Sequence, residues 1–381
     1  MNLDHLKNEA QNTSCIDWAE RQGWAITKRG NDRFGPCPLC GGTDRFAINI
    51  SKNVWLCRQC DVGGDVIKLV QHMEGLDYKS ALERITGRKA AEPIDPAREA
   101  ELKAQAEQDR LARERVANRY RQDQIRSARR IMNLARLPKP GGPVEAYLRK
   151  RGLDKLADTI AQGRFKILLR EIERFERKIP VKNGGKVEWI TIDECPVMVG
   201  EIIKPNDDLD AVHMTFLDPT TPKGKREKAD PNTGNPLPSK IMKGSKKSGA
   251  IRLYTPSAPT RLVVGEGIET TLTALQEAYQ PNTAYWCGAD LGNMAGAAGE
   301  DENGKRCNHL PDLNDDEAFV PPAWCKELVL LRDGDSDSKK TDNQLQRCGR
   351  RAMALRPGLV AKIANAADGK DFNDMLVEGA E

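Results

Sequence analysis

The sequence predicts an α/β protein whose last third folds around a parallel β-sheet. Two short apolar runs, Arg261–Gly265 and Glu327–Arg332, have the length and the branched side chains of buried parallel strands. Helical patterns alternate with these runs and with a further strand candidate, which is typical of a doubly wound sheet. A small cysteine-bearing unit and a long charged segment precede this region, so we expect several domains in one chain.

Length and composition fit two or three domains and no membrane contact. The chain has 381 residues and a net charge of +4, which by itself does not indicate a nucleic-acid partner. It has no apolar run near the roughly 18 residues that suggest a membrane span. Its first residues lack the apolar core of a signal peptide, so we expect a cytoplasmic location.

Four of the ten cysteines form two pairs with the spacing of metal ligands. Sixteen residues separate the pair Cys37 and Cys40 from the pair Cys57 and Cys60, and a predicted hairpin over residues 46–56 brings the pairs together. Four thiolates in this arrangement fit a closed tetrahedral Zn²⁺ site. No coordination position is left open, so this zinc should be structural. The other six cysteines are scattered, and we interpret them as buried or free thiols.

Residues 1–90 form the first predicted domain, a zinc ribbon. Asp65 is in position to cap a helix, and a second helix over residues 78–85 should end at Gly87. The ribbon carries charged side chains and one ring that suit single-stranded nucleic acid, namely Arg45, Lys52, Trp55, Arg58 and Lys68. The alternative, in which Trp55 packs inside the hairpin and the charges are solvated, fits the sequence equally well.

The next segment, residues 91–135, is predicted to be a charged helical linker. It is rich in Ala, Arg, Glu and Gln and has few large apolar residues, which favours a long, mostly exposed helix or a semi-rigid spacer. The alternative is a basic rail near its end, formed by Arg126, Arg129 and Arg130.

Residues 136–256 are predicted to form a mixed α+β middle region. A helix should end at Gly152, a strand is expected over residues 211–217, and residues 219–239 form a loop rich in Pro, Lys and Gly. A positive patch follows the loop, formed by Lys240, Lys243, Lys246 and Lys247. Such a patch would meet the phosphates of a template or of a nucleoside triphosphate. A flexible solvated loop is the alternative.

The C-terminal domain, residues 257–381, is expected to alternate strand and helix. In chain order we predict a strand at 261–265, a helix at 268–278, a strand at 283–287, an irregular acidic insertion at 299–319, a strand at 327–332, a helix at 344–355 and a strand at 359–363. Because connections between parallel strands are usually helical, this order predicts a parallel α/β sheet.

Acidic residues follow two of these strands directly. Glu266 ends the first, and Asp333 and Asp335 end the strand at 327–332. Ligands gather at the carboxyl ends of parallel strands, so these carboxylates should converge. Grouped carboxylates repel one another unless a hard cation such as Mg²⁺ joins them. An ordinary acidic turn is the alternative for Asp333 and Asp335.

A third acidic turn lies near residue 371. Asp371 could contact a metal or a nucleotide there, whereas we expect Asp374 to cap the last helix.

Parts of this sequence resemble known protein families. The two Cys-x-x-Cys pairs, with Gly63-Gly64-Asp65-Val66-Ile67, resemble the zinc-binding domain of bacterial-type DNA primases, although that family often has a His among its ligands. Gly265-Glu266-Gly267-Ile268-Glu269-Thr270, with Asp333-Gly334-Asp335, resembles the Toprim domain of those primases and of type IA and II topoisomerases. Toprim sequences usually continue with a small residue and a glycine, and here Ser336-Asp337-Ser338 follows. Residues 147–153, 212–217 and 371–374 are similar to primases of phages, plasmids and integrated elements.

The resemblance implies a DNA primase, which makes short RNA primers on single-stranded DNA from nucleoside triphosphates during phage, plasmid or mobile-element replication. The implied architecture is an N-terminal zinc ribbon that binds DNA, a helical linker, a mixed α+β basic primase core at 136–256 and a C-terminal Toprim-like parallel α/β catalytic domain at 257–381. Asp333 and Asp335 would be ligands of Mg²⁺ or Mn²⁺, and Glu266 would be a metal-proximal glutamate or an acid/base.

Of the residues with charge suited to a nucleotide, we expect Lys240, Lys243 and Asp371 to contact it. The resemblance also implies a further partner. The chain ends soon after the last acidic turn, where multidomain relatives often carry a helicase, so we expect a replicative helicase as a separate chain.

Two other functions are compatible with the same motifs. A Toprim-type nuclease would use the acids to hydrolyse phosphodiesters, and a non-catalytic adaptor would bind DNA through the ribbon and the lysines. The zinc ribbon and the lysine-rich middle region favour a primase over a nuclease. The intact Glu266, Asp333 and Asp335 argue against an adaptor.

Overall fold

The structure is a computed structural model that describes residues 3–29, 32–89, 96–164, 167–183, 186–231, 234–334, 338–367 and 369–378. The chain divides into two compact units, residues 1–122 and 123–381. Each unit is built around hydrophobic core residues of its own.

In its described residues, the first unit combines a small antiparallel sheet with four short helices and most of the long helix that follows them. Its sheet has the order β1-β2-β3-β4-β5. Its elements before the long helix are α1 (Asp4–Gln11), α2 (Cys15–Arg21), β1 (Thr27–Arg29), β2 (Asp32–Cys37), β3 (Gly41–Asn49), β4 (Val54–Cys57), β5 (Val62–Gly64), α3 (Val66–Glu74) and α4 (Tyr78–Thr86). The predicted hairpin is formed by β3 and β4, which pair Ile48 with Trp55.

The two helices predicted in this unit are confirmed together with their ends. Asp65 caps α3, because its Oδ1 accepts a hydrogen bond of 3.0 Å from the amide of Lys68. Asp77 caps α4 in the same way through the amide of Ser80, at 2.7 Å. Helix α4 ends at Gly87, whose left-handed backbone follows the last turn.

Helix α5 (Pro96–Leu134) covers the segment predicted to be a charged linker. Most of its described side chains up to residue 123 are exposed, as expected of a spacer. Its last turns differ from the prediction, because Ala128 and Ile131 are buried in a core of the second unit. Arg129 donates a hydrogen bond of 3.2 Å to the carbonyl of Leu209, and Arg126 pairs with Asp123. Two of the three arginines of the predicted basic rail therefore have partners within the protein.

A nine-stranded sheet forms the centre of the second unit, in the order β11-β8-β7-β12-β14-β13-β17-β18, with β6 paired to β7. The elements are α6 (Pro143–Lys150), α7 (Asp154–Ala161), β6 (Leu169–Asn183), β7 (Lys186–Ile203), β8 (Leu209–Phe216), β9 (Lys228–Ala229), β10 (Pro236–Leu237), β11 (Lys240–Gly244), β12 (Ala250–Tyr254), β13 (Arg261–Gly265), α8 (Ile268–Glu277), β14 (Thr283–Cys287), α9 (Leu291–Ala295), β15 (Ala298–Glu300), β16 (Arg306–Pro311), β17 (Glu327–Arg332), α10 (Ser338–Leu355), β18 (Val360–Asn365) and α11 (Phe372–Glu378).

The four C-terminal strands of this sheet run parallel. Strand β13 lies between β14 and β17, and β17 pairs in turn with β18. Alternate side chains of β13 enter different cores: Val263 belongs to the core that contains Leu272 of α8, and Val264 belongs to the core that contains Leu345 of α10. Helices therefore cover both faces, as the alternating pattern predicts.

Two features of the second unit differ from the prediction. The long antiparallel hairpin of β6 and β7 was not expected. The acidic insertion is partly regular, because β15 and β16 pair as an antiparallel hairpin. None of the helices in the described part of the chain combines the length and the apolar character needed to cross a lipid bilayer.

Candidate functional site

The four predicted zinc ligands lie together at the end of the small sheet. The Sγ atoms of Cys37, Cys40, Cys57 and Cys60 all lie within 4.8 Å of one another, and the Cys40–Cys57 pair is 3.5 Å apart. A tetrahedron with Zn–S bonds of about 2.3 Å has S–S edges of about 3.8 Å. The cysteines therefore fit a closed Zn²⁺ site. Among the residues that the structure describes, no other cluster of three or more such side chains could share an ion.

The local backbone favours a thiolate at Cys57. Burial opposes ionisation of this thiol, but the N–H groups of Cys60 and Gln59 lower its pKa to about 7. The amide of Cys60 donates to the Cys57 Sγ at 3.5 Å. Because zinc binds the thiolate form, these N–H groups favour the state of Cys57 that the metal takes, whereas the neighbouring thiols of Cys40 and Cys57 raise the pKa of Cys60 in the same knuckle.

Trp55 belongs to the core of the ribbon. Its side chain is 2% exposed and stacks on His72 with ring centroids 5.3 Å apart. Its Nε1 donates to the carbonyl of Asp65 at 3.1 Å. Of the two interpretations left open by the sequence, the structure supports packing in the core, and Trp55 does not offer a stacking surface. The residues that do remain exposed on the ribbon include Leu39, Lys52, Leu56, Arg58 and Lys68.

The second predicted site lies at the carboxyl edge of the parallel strands. Glu266 follows β13 and Asp333 follows β17, and these two strands are direct neighbours. Thr270 in the first turn of α8 donates its hydroxyl to Asp333, at 3.2 Å from Oδ2. The structure thus brings Glu266 and Asp333 to one edge of the sheet. Asp335 lies outside the described residues.

Close packing of the backbone fixes the turn after β17. A Cβ atom at Gly334 would lie 2.2 Å from the carbonyl oxygen of Ala367, so only glycine fits there. The amide of Gly334 donates to the carbonyl of Lys370 at 2.9 Å. The third acidic turn therefore lies alongside Asp333.

The cap of the last helix is Asp371, not Asp374 as predicted. Oδ1 of Asp371 accepts a hydrogen bond of 2.6 Å from the amide of Asp374. Asp371 immediately precedes α11, so its carboxylate meets the free N–H groups of the first turn. Asn373 is fully buried and donates to the carbonyl of Arg151 at 2.8 Å.

The predicted lysine patch is divided among several partners. Lys240 contacts Glu269 at 2.9 Å, Lys246 pairs with Asp290, and Lys247 pairs with Glu317. Lys243 is three residues from Lys240 on the same strand, so the two side chains point to opposite faces of the sheet. The structure therefore does not bring the four ammonium groups together on one surface.

Lys246 is the lysine of this group that lies within electrostatic reach of the acidic edge. Burial lowers the pKa of Lys246, and the charge of Glu266 acts in the opposite direction. An ammonium group beside Glu266 and Asp290 would be well placed to meet a phosphate at this edge.

Glu269 is a buried charged residue that the sequence did not single out by function. It is 5% exposed, and its carboxylate meets the hydroxyl of Tyr147 at 2.6 Å, Lys225 at 3.0 Å and Lys240 at 2.9 Å. Burial alone would raise the pKa of Glu269, but the two lysines and the Tyr147 hydroxyl hold it well below its usual range. The available signal was a charged residue in the first turn of a predicted helix whose next four residues are uncharged.

His213 lies close to the same cluster without adding charge. Burial and then the nearby Lys240 lower its pKa to about 4, so the imidazole is neutral at pH 7.

Two family matches together cover most of the chain up to residue 253. Residues 2–99 match the CHC2 zinc finger family, and residues 122–253 match a domain of unknown function (DUF7146). The first match contains all four zinc ligands. The second contains Tyr147, Lys225 and Lys240.

Two bacterial relatives are DNA primases. The chain is 29% identical over 83 residues to the DNA primase of Mycoplasma pneumoniae, which is 22% of this chain and 13% of the relative. It is 34% identical over 64 residues to the DNA primase of Thermotoga maritima, which is 16% of this chain and 11% of the relative. The chain thus matches only a small part of the length of each relative.

Solved primase structures are similar to this chain only loosely. The zinc-binding and RNA polymerase domains of the Aquifex aeolicus primase align with 98% of this chain and 82% of that one, at 16% identity and a TM-score of 0.29. The primase fragment of the bacteriophage T7 primase-helicase protein aligns with 94% and 97%, at 12% identity and a TM-score of 0.31. These scores support no inference about fold or function. Through the CHC2 zinc finger of residues 2–99 and its bacterial relatives, the chain is similar to bacterial DNA primases, as the motifs of its zinc ribbon indicate.

Proposed function

We propose that this chain is a DNA primase that joins ribonucleotides into short primers on single-stranded DNA, using a divalent metal ion. One observation carries the proposal beyond the zinc finger. Glu266 and Asp333 follow neighbouring parallel strands, at the edge where such sheets bind their ligands. This arrangement supports assignment of residues 257–381 to a Toprim-like catalytic domain.

The acidic edge has the donor chemistry of a Mg²⁺ or Mn²⁺ site. Asp333 and Asp335 would hold the ion, with Glu266 as a third ligand or as the group that takes the proton from the attacking hydroxyl. When bound, the ion would offset the charge of the reacting phosphates. Thr270 orients Asp333 through its hydroxyl, and Lys246 supplies a positive charge beside Glu266.

The template and the nucleotide would meet the basic residues of the two units. The ribbon exposes Lys52, Arg58 and Lys68, which suit contacts to a phosphate backbone. Lys240, Lys243 and Asp371 are the proposed contacts to the nucleoside triphosphate. Of these, Lys240 is the best placed, since its side chain is still 36% exposed despite its pairing with Glu269, whereas Lys243 lies on the opposite face of β11 and Asp371 caps α11. A replicative helicase on a separate chain would supply unwound DNA in the cytoplasm during phage, plasmid or mobile-element replication.

The test is primer synthesis on single-stranded DNA with labelled ribonucleotides and either Mg²⁺ or Mn²⁺. We expect template-dependent RNA products that fall by about 100-fold or more in Asp333→Asn and Glu266→Gln variants. The matched control is Asp316→Asn, which removes an exposed acid of the insertion and should leave synthesis unchanged.

Two results would replace the proposal. Shortening of the template DNA that depends on Asp333, without RNA product, would identify a Toprim-type nuclease. DNA binding with neither product would identify a non-catalytic adaptor.

A further inference from the structure

Three elements of the middle region converge on one buried carboxylate. Tyr147 reaches Glu269 from α6, Lys225 reaches it from the loop between β8 and β9, and Lys240 reaches it from β11. Tyr147 and Lys225 both meet Oε1, whereas Lys240 meets Oε2. The carboxylate is thus held from two directions in one orientation.

Stability alone does not explain such a cluster. Removing charges from water is costly, and replacing a buried ion pair with apolar side chains of similar size is often neutral or stabilising. An all-apolar set of side chains would therefore serve stability at least as well as Glu269 with its two lysines. What the charged cluster adds is a fixed orientation of the Glu269 side chain, because all of its hydrogen bonds can form in only one arrangement.

Glu269 lies in the turn of α8 that is next to the acidic edge, so its orientation affects the residues of that edge. Thr270 is the next residue in the same helical turn, and its hydroxyl donates to Asp333. Glu266 lies three residues earlier, at the point where β13 enters the helix. A shift of the first turn of α8 would therefore move Thr270 and Glu266 together, and the hydrogen bond from Thr270 to Asp333 would be lost.

We propose that Glu269 is a positioning residue, which ties the first turn of α8 to α6, β11 and the loop after β8 and so holds Glu266 and Asp333 for the divalent metal ion. This inference deepens the proposed function and rests on it for the identity of the metal site. Tyr147, Lys225 and Lys240 are its partners in this role.

Tyr147→Phe is the sharpest test, because it removes one hydroxyl without changing any charge. In protein without divalent metal, amide hydrogen exchange in α8 should become roughly tenfold faster, as expected for the loss of a hydrogen bond to a charged group. Mn²⁺ affinity of the zinc-loaded protein, measured from the electron paramagnetic resonance of free Mn²⁺, should fall about fivefold. Tyr279→Phe is the matched control, since its hydroxyl bonds Tyr254 at the surface and both readouts should stay unchanged.

Glu269→Gln tests the same link from its centre. It keeps the shape of the side chain but leaves two lysines facing a neutral amide, so Mn²⁺ affinity should fall by about tenfold or more. If this variant does not fold, Tyr147→Phe still decides the question.

Three results would overturn the inference. Mn²⁺ affinity of Tyr147→Phe within twofold of the parent value would do so, even if exchange of α8 became faster, because the cluster would then be structural only. Loss of affinity in Glu269→Gln but not in Tyr147→Phe would indicate a long-range effect of charge. Unchanged exchange and affinity in both variants would exclude any link.

Failure of the proposed function is a separate result. Protein that binds Mn²⁺ through Asp333 but makes no primers would refute the primase function and leave the positioning role of Glu269 intact.

Discussion

Arg226 joins two parts of the middle region through a pair of carboxylates. Its guanidinium donates to Asp193 on β7 at 2.8 Å and to Asp218 after β8 at 2.6 Å. Asp218 also accepts from the amide and the hydroxyl of Thr220, at 2.9 and 2.6 Å. These contacts fix the start of the loop at residues 219–239. The composition of the loop does not predict them.

The bonds to Asp218 make this part of the fold sensitive to acid. The bonds from Thr220 and then Arg226 lower the pKa of Asp218 to about 2, from an ordinary value of 3.8. A depressed pKa stabilises the folded state fully above the unfolded value, and this stabilisation is lost as the pH falls through the folded value. We expect Asp218→Asn to lower the free energy of unfolding by about 2 kcal/mol at pH 7. The difference from the parent protein should shrink below pH 4 and vanish near pH 2.

Urea unfolding of both proteins across this pH range measures the effect. Asp316→Asn, an exposed acid, is the control and should have little effect at any pH. A difference for Asp218→Asn that stays constant down to pH 2 would contradict the assignment.

At the residue scale the sequence identified the zinc ligands but could not decide the environment of single side chains. The spacing of four cysteines is a local property, so it could be recognised directly. Burial of Trp55 depends on the packing of α3 against the hairpin, which brings His72 to the ring. The partners of Glu269 come from residues 29 to 122 positions away in the chain, and no local pattern contains them.

Among the elements, the acidic insertion is attached to the sheet domain by α10. Two arginines of this helix are buried, and both donate to carbonyl oxygens of the insertion. Arg351 donates to the carbonyl of Asp312 at 2.6 Å and to that of Asp315, and Arg347 donates to that of Asn308. Each of these bonds gives a carbonyl oxygen of the insertion a charged donor, as backbone acceptors away from water need hydrogen bonds.

Replacing one of these arginines should release the insertion without unfolding the sheet. We expect Arg351→Leu to increase hydrogen exchange over residues 296–320 by at least tenfold, because it removes hydrogen bonds from a charged donor, each contributing about 1.5–3 kcal/mol. Exchange in β13 and β17 should remain slow. The matched control is Arg350→Leu, which changes the exposed neighbour and should leave the insertion protected. Equal exchange in the two variants would show that α10 does not hold the insertion.

The C-terminal strands were predicted more accurately than the middle region. Strands β13, β14 and β17 occur where the sequence indicated, because buried parallel strands are short continuous apolar runs. The β6–β7 hairpin was not predicted. Charged residues are frequent in β6 and in the first half of β7, and they interrupt the continuous apolar run that indicates a buried strand. One buried face is enough for such a strand, but the sequence alone does not show which residues cover it.

The whole molecule contains two units that should respond independently to loss of zinc. The core of the first unit includes Cys37 and Cys57, so the metal ligands are also packing residues. The second unit has separate cores around its sheet. Binding of structural zinc contributes about 10–16 kcal/mol in small domains, as much as the entire stability of a typical domain.

We therefore expect removal of zinc by a chelator, or Cys57→Ser, to unfold the ribbon and leave the sheet domain folded. Zinc content should fall to near zero in the variant, and hydrogen exchange should become fast over residues 32–86 but stay unchanged over residues 250–365. Primer initiation should fall more than DNA binding by the remaining unit. Cys307→Ser, which changes a partly exposed thiol outside the zinc site, is the control and should keep its zinc. Normal zinc content in Cys57→Ser would refute the ligand assignment, and faster exchange in the parallel strands would show that zinc stabilises both units together.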